Sequence, residues 1–259
     1  LGAGLVQLRI EAGIEHAQRL LRRERNIWGC GNLDVSFTKV YDCRVNGNTI
    51  EADCSLAGVS REPVLRYTVR YSIFDDGRIG VELTGKVREN AYWLPRLGFE
   101  LDLPGDHHRF CYYGMGPGEN YRDMCHHAWL GRFESSADAE YVPYVHPQEH
   151  GNHTQVKELT IGGLTFRGKE TFECAVSRYS VLALDRAKHT DELHSDGNVH
   201  LRIDTAHYQN GKYPFAGHRM TCPCSAPHPA LPAVRFWSSV RLPAGRVSRL
   251  PSWLLQSVA

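Results

Sequence analysis

The feature that most constrains this chain is a succession of short stretches in which apolar and polar residues alternate, each closed by a turn signal. Leu65-Arg66-Tyr67-Thr68-Val69-Arg70-Tyr71-Ser72-Ile73 places Leu65, Tyr67, Val69, Tyr71 and Ile73 on one side of the chain. That is the pattern of a half-buried strand. Asp75-Asp76-Gly77-Arg78 turns the chain, and residues 79–85 return it. Earlier, Phe37, Lys39 and Tyr41 alternate with Thr38, Val40 and Asp42. Asn46-Gly47 follows and reads as a type I′ hairpin turn, because both residues accept positive φ. Residues 49–54 then read as the return strand. Residues 97–103 alternate again and stop at Pro104-Gly105. Further strands are expected at 155–161, 164–167, 174–179, 199–203 and 234–242, and no long helix is expected after residue 30. Many short strands without long helices must close into a sandwich or a barrel.

Three segments break this texture. In residues 1–27, Leu5, Leu8, Ile14, Ala17, Leu20 and Leu21 recur at roughly helical spacing. Residues 1–30 therefore read as a linker or short helix, and 31–259 as one β domain. Residues 111–155 are rich in Gly, Pro, Tyr and His and read as a long functional loop region rather than a strand series. Residues 208–233 contain Pro214, Pro223, Pro227, Pro229 and Pro232 and read as irregular.

Charge and cysteine usage exclude several classes of function. The chain carries 30 Lys and Arg against 29 Asp and Glu, which argues against a nucleic-acid or membrane-surface partner. No apolar run approaches the ~20 residues of a membrane helix. Eight scattered Cys read as reduced thiols of a cytoplasmic protein rather than a disulfide framework. His218, Cys222, Cys224 and His228 invite a zinc reading, but the C-x-C spacing is tighter than structural zinc sites use. Gly114-Met115-Gly116-Pro117-Gly118 is set aside as a phosphate loop, because Pro117 removes a donor. No metal and no cofactor is expected.

Two longer motifs carry a resemblance. Tyr112-Tyr113-Gly114-Met115-Gly116-Pro117-Gly118-Glu119-Asn120-Tyr121-Arg122-Asp123 is followed by Tyr141-Val142-Pro143-Tyr144-Val145-His146-Pro147-Gln148-Glu149. Together they resemble the signature of the C-terminal, or small-chain, domain of LacZ-type β-galactosidases of glycoside hydrolase family 2. Thr38-Lys39-Val40-Tyr41, Arg178-Tyr179-Ser180, Glu192-Leu193-His194 and Leu201-Arg202-Ile203-Asp204 fall in the family's order, so the resemblance spans roughly residues 35–207. It implies an all-β fold: a large antiparallel β-sandwich, the supersandwich shared with galactose mutarotases. Two segments depart from the family. The acidic loop before the first strand is replaced by Arg22-Arg23-Glu24-Arg25-Asn26-Ile27, and Thr221-Cys222-Pro223-Cys224-Ser225-Ala226-Pro227 matches poorly.

Retaining glycoside hydrolysis needs two carboxyl groups about 5–5.5 Å apart. The resemblance assigns both to a catalytic barrel, on the same or a separate chain, and places neither here. It therefore implies a part that helps shape a galactoside site and buttresses the barrel without hydrolysing sugar alone; assembly into a homo-oligomer is left open. The residues read as facing sugar are Glu149, Asn152 and His153, close enough in the chain to line one concave surface, and Cys224, by its position relative to the family pattern. Those implied to build the motif loops are Gly114, Gly116, Pro117, Glu119, Asn120, Tyr121, Tyr144 and Pro147. Glu119 reads first as a loop anchor accepting backbone N–H groups, ahead of a sugar-hydroxyl acceptor. Two alternatives stay open. One is a stand-alone aldose epimerase using Glu149 with His153 or His146 as base and acid. The other is a carbohydrate-binding module without chemistry.

Overall fold

The computed structural model describes residues 36–88, 98–121, 124–204 and, as backbone alone, 9–11 and 234–241. Twelve strands form one hydrogen-bonded system in which every pairing is antiparallel: β1 (Arg9–Glu11), β2 (Ser36–Asn46), β3 (Thr49–Gly58), β4 (Leu65–Ile73), β5 (Arg78–Val87), β6 (Gly98–Pro104), β7 (Arg109–Gly116), β8 (Trp129–Ser136), β9 (Asn152–Ile161), β10 (Leu164–Ser177), β11 (Asn198–Asp204) and β12 (Val234–Arg241). Among the described residues the helical segments are short: α1 (Val181–Arg186), capped by the Ser180 hydroxyl, and the 3-10 turn Thr190–Glu192.

The sheet forks at β10. One edge of β10 pairs with β9, from Leu164↔Ile161 to Ala175↔Asn152. The other edge divides, with Thr165–Gly168 on β12 and Glu173–Ser177 on β11. Register shifts between Arg167 and Phe172, and between Phe172 and Cys174, mark where the hairpin bends out of one layer into the other. One wing then runs β12-β5-β4-β3-β2, and the other runs β11-β6-β1. Strands β7 and β8 extend the sheet beyond β9. Ile50, Ala52, Leu56, Leu65, Tyr67, Val69, Tyr71, Val81 and Leu83 of the first wing belong to the same buried cluster as Phe99, Leu101, Leu103, Val199, Leu201 and Ile203 of the second. The two layers thus close on a common apolar core, as a large sandwich requires.

The strands form where alternation demands. In β4, Leu65, Tyr67, Val69 and Tyr71 are buried while Arg66 and Arg70 face out. The structure corrects two expectations. Of the hairpin residues, Gly47 takes positive φ (57°), and the two-residue loop is Gly47-Asn48. That is the type II′ pattern, with Gly first, in place of type I′ on Asn46-Gly47. Asn48 takes the second turn position and donates its side-chain amide to the Ile73 carbonyl. The second correction concerns 111–155, which is not loop throughout, since β7 and β8 lie within it. Its alternation was masked because two inward positions of β7 are glycines. A Cβ at Gly114 would lie 2.8 Å from Val156 Cγ2, and one at Gly116 would lie 2.3 Å from the Tyr112 hydroxyl. The close approach of β9 and of the neighbouring rings requires bare backbone there.

Two expected segments merge. Residues 164–167 and 174–179 belong to the single bent strand β10. Within 1–30, the backbone of Arg9–Glu11 is extended and pairs with β6. The remainder of 1–30, read as linker or helix, lies outside the described residues, as do 205–233 with Cys224 and the C-x-C pair.

Candidate functional site

The two motif loops are joined to each other and reach β10 and β11 through the Asn152–Glu173 and Glu149–Arg202 contacts. Asn120 is the hub and is fully buried. Its side-chain amide donates to the Met115 carbonyl (2.9 Å) and the Gly118 carbonyl (3.1 Å). Its Oδ1 accepts from the Thr154 backbone N–H (2.9 Å) and the Thr154 hydroxyl (2.6 Å). Its backbone N–H donates to the Asn152 carbonyl, and the Asn152 amide donates back to the Asn120 carbonyl. An amide side chain offers two donors and two acceptor lone pairs, and here all four are used. The loop 115–118, with its cis Gly116-Pro117 bond, is thereby stitched to the start of β9.

Glu119 closes the second loop onto the first. Its Oε2 accepts from the Gly151 N–H (2.9 Å), and its Oε1 accepts from the Tyr144 hydroxyl. Burial, followed by the Glu119 carboxylate, pushes the Tyr144 phenol well above its ordinary range, so it remains a donor. Glu149 accepts from the Tyr121 hydroxyl (2.8 Å), and its other oxygen faces Arg202 Nη1 at 3.5 Å. Asn152 donates to Glu173 on β10 at 3.0 Å. Pro147 is buried, and its carbonyl lies 3.2 Å from His146 Nδ1.

The sequence-implied residues therefore divide. Glu119, Asn120, Tyr121, Tyr144, Glu149 and Asn152 are joined by hydrogen bonds within or between the two motif loops and the start of β9. Gly114 and Gly116 belong to β7, beneath the loops. Asn152 and His153 are both 0% exposed, so their side chains present nothing to a solute. His153 sits apart from Glu149: its ring lies 4.3 Å from that of Tyr112, with Phe110 beside it, and its Nε2 is 3.2 Å from buried Glu140. The arrangement of Glu149, Asn152 and His153 along one open concave surface is not found. A strand start buried on both sides carries its side chains into the interior.

Sequence reasoning gave no role to Arg202, Glu173, Glu140, Glu100, Asp102 and His200. Strand alternation did supply a signal for several. Glu100 and Asp102 alternate with Phe99, Leu101 and Leu103, and His200 and Arg202 alternate with Val199, Leu201 and Ile203. Their face reads as solvent-facing by alternation, yet Glu100, His200, Arg202 and Asp204 are buried. Beside the site, Arg178 forks onto Asp138 at 2.9 and 2.8 Å and also donates to the Gly105 carbonyl. This pairing, aided by His108, holds the Asp138 carboxyl at about 2.

Fold and site together define an all-β antiparallel sandwich domain with a loop-covered polar face. The β-galactosidase small-chain family matches residues 17–213, and the chain belongs to that family. It is similar to the β-galactosidase of Vibrio cholerae, with 32% identity over 183 residues covering 70% of this chain and 18% of that enzyme. It is also similar to that of Psychromonas ingrahamii, with 34% identity over 138 residues covering 53% of this chain and 13% of that enzyme. The matched part thus spans less than a fifth of these relatives. A solved aldose epimerase homologue from C. elegans aligns with 79% of this chain and 67% of its own, at a TM-score of 0.38 and 9% identity. No helix among the described residues is long and apolar enough to cross a membrane.

Proposed function

We propose that this chain is a non-hydrolytic part of a β-galactosidase that borders the galactoside site and buttresses a catalytic barrel. One observation carries the reading: among the described residues, the motif-loop carboxylates Glu119 and Glu149 are engaged by the fold itself. Glu119 is held by Gly151 and Tyr144, and Glu149 by Tyr121 and Arg202. A carboxyl pair that cleaves a glycoside must have its oxygens free for the sugar and for water. Here the same groups fix the shape of a loop surface, which is what a wall of a neighbouring site needs. Glu149, which keeps partial exposure, is the group of this set proposed to face sugar, with Asn152 holding the loop to β10 behind it.

The epimerase alternative would need Glu149 and either His153 or His146 on opposite sides of one sugar ring. Complete burial of His153 against Tyr112 and Glu140 counts against the pairing with His153, while His146 is half-buried. Five of the cysteines, Cys43, Cys54, Cys111, Cys125 and Cys174, are free thiols, which suits a reducing compartment such as the cytoplasm.

The test is to assay the chain with a nitrophenyl galactoside alone and after mixing with the barrel-bearing portion of the enzyme. Turnover is expected in the mixture and not with the chain alone. Turnover by the isolated chain at an ordinary enzymatic rate would overturn the proposal, and accelerated mutarotation of α-galactose would favour the epimerase reading.

A further inference from the structure

On β6 and β11, three side chains from two adjacent strands converge. Asp102 on β6 stands directly opposite His200 on β11, and Glu100 lies two residues along the same face of β6. Ligand atoms of Glu100, Asp102 and His200 all lie within 4.8 Å of one another. His200 Nδ1 is 2.8 Å from Asp102 Oδ1 and 3.8 Å from Glu100 Oε1. On the far side of the ring, Nε2 is 3.3 Å from Asp196 Oδ1. The His200 and Glu100 side chains are 5% and 10% exposed, whereas Asp102 and Asp196 are 32% and 53% exposed, so the cluster is buried at His200 and Glu100 and open to water at the two aspartates.

Three features distinguish this cluster from an ordinary ion pair. Two carboxylates address the same imidazole nitrogen, although one hydrogen bond would satisfy it. The Glu100, Asp102 and His200 ligand atoms lie within 4.8 Å of one another, close enough to share one ion once the 2.8 Å Nδ1–Oδ1 hydrogen bond is exchanged for ligation. The second ring nitrogen is held by a further carboxylate, the outer-shell arrangement that fixes the orientation and raises the basicity of metal-bound histidines. Charge points the same way. Three carboxylates surround one imidazole, and Arg202, which stands opposite Glu100 in the β6–β11 register, reaches Glu149 with Nη1 at 3.5 Å. Negative charge gathered in a partly buried place favours a cation.

We infer that Glu100, Asp102 and His200 form a binding site for one first-row divalent cation of the zinc type, with Asp196 orienting the imidazole from behind. An imidazole nitrogen with two carboxylate oxygens suits zinc, cobalt or manganese better than calcium or magnesium, which favour oxygen alone. Solvent at the Asp102 side completes the coordination. The ion would clamp β6 to β11 next to the Arg202–Glu149 contact and so stiffen the layer that carries the motif loops.

The test uses the intact protein, stripped with a chelator and titrated with zinc by calorimetry and with cobalt by visible absorption. One ion per chain is expected, with cobalt bands free of the near-ultraviolet charge-transfer feature of thiolate ligation. D102N and H200Q should each weaken binding by at least about tenfold, and D196N by a smaller factor. The double variant C222S/C224S, which removes the thiols of the H-x3-C-x-C-x3-H stretch, should leave binding unchanged. Absence of a saturable site overturns the inference, as does binding that survives D102N and H200Q or disappears in C222S/C224S. If D102N and H200Q fail to fold by circular dichroism, the isosteric E100Q carries the test, and unchanged zinc affinity there overturns the inference.

Discussion

The outer faces of the two wings carry the same residue types in opposite circumstances. Across β2–β5, the register aligns Arg44, Glu51, Arg70 and Glu82 into a row of alternating charge. Arg44 contacts Glu51 at 3.1 Å, Arg70 contacts Glu51 at 2.6 Å, and Arg70 faces Glu82 at 3.7 Å. The two arginines are each 52% exposed. Across β6 and β11, Glu100, Asp102, His200 and Arg202 occupy equivalent alternating positions, yet Arg202 is 5% exposed and Glu149 10%. The first row is water-screened and each pair contributes little. In the second, a lost partner leaves a charge stranded in the interior. Both rows arise from the same period-two pattern. What separates them most clearly is Arg202, which meets Glu149 from the segment between β8 and β9, where the exposed wing meets water.

The sharpest way to break this contrast is Arg202→Ala. It strands Glu149 and should destabilise the fold by about 3–5 kcal/mol in denaturant titration; a loss no larger than that of a surface variant would mean the covered face is solvated after all. Asn120→Ala comes next, removing a buried amide with four partners at a cost of about 2–3 kcal/mol. The motif loops should become the first site of limited proteolysis, and cleavage elsewhere would deny Asn120 its role as hub. In the exposed wing, Glu51→Gln should lower the melting temperature by at most ~2 °C, and molar salt should abolish the difference. A larger, salt-independent loss would make the ladder structural. The smallest effect is confined to acid. Arg178, through two hydrogen bonds, holds the folded Asp138 carboxyl near 2, below its ordinary value. Its contribution is thus fully present above the unfolded value of about 3.9 and lost as pH falls toward 2. Asp138→Asn should flatten the stability profile between those limits and leave its shape at neutral pH unchanged.

Much of the fold was legible. The strand at 65–73 coincides with β4 because its alternation is unbroken and its turns are marked on both sides. β7 was hidden because Gly114 and Gly116 replace apolar residues on its inward side, where neighbouring rings and β9 occupy the space. β8 was hidden because it is an edge strand with Trp129 and Leu130 exposed, so neither face has to be apolar. The motif loops could be located in the chain, and their resemblance placed it in its family. The division of labour inside them could not be read. Nothing local tells that Asn152 and His153 start a strand buried on both sides while Glu149, a few residues earlier, keeps some exposure.

The sequence by itself determined the antiparallel sheet, most strand positions and the family, because alternation and turn chemistry act between residues close in the chain. Tertiary structure alone decided which polar face would be covered. It brought Asp102 and His200 together across 98 positions, and Glu149 to Arg202. Those contacts depend on how β10 bends and on where the loops come to rest. Alternation marks a residue as facing away from the core, but says nothing about whether water or protein lies on that side.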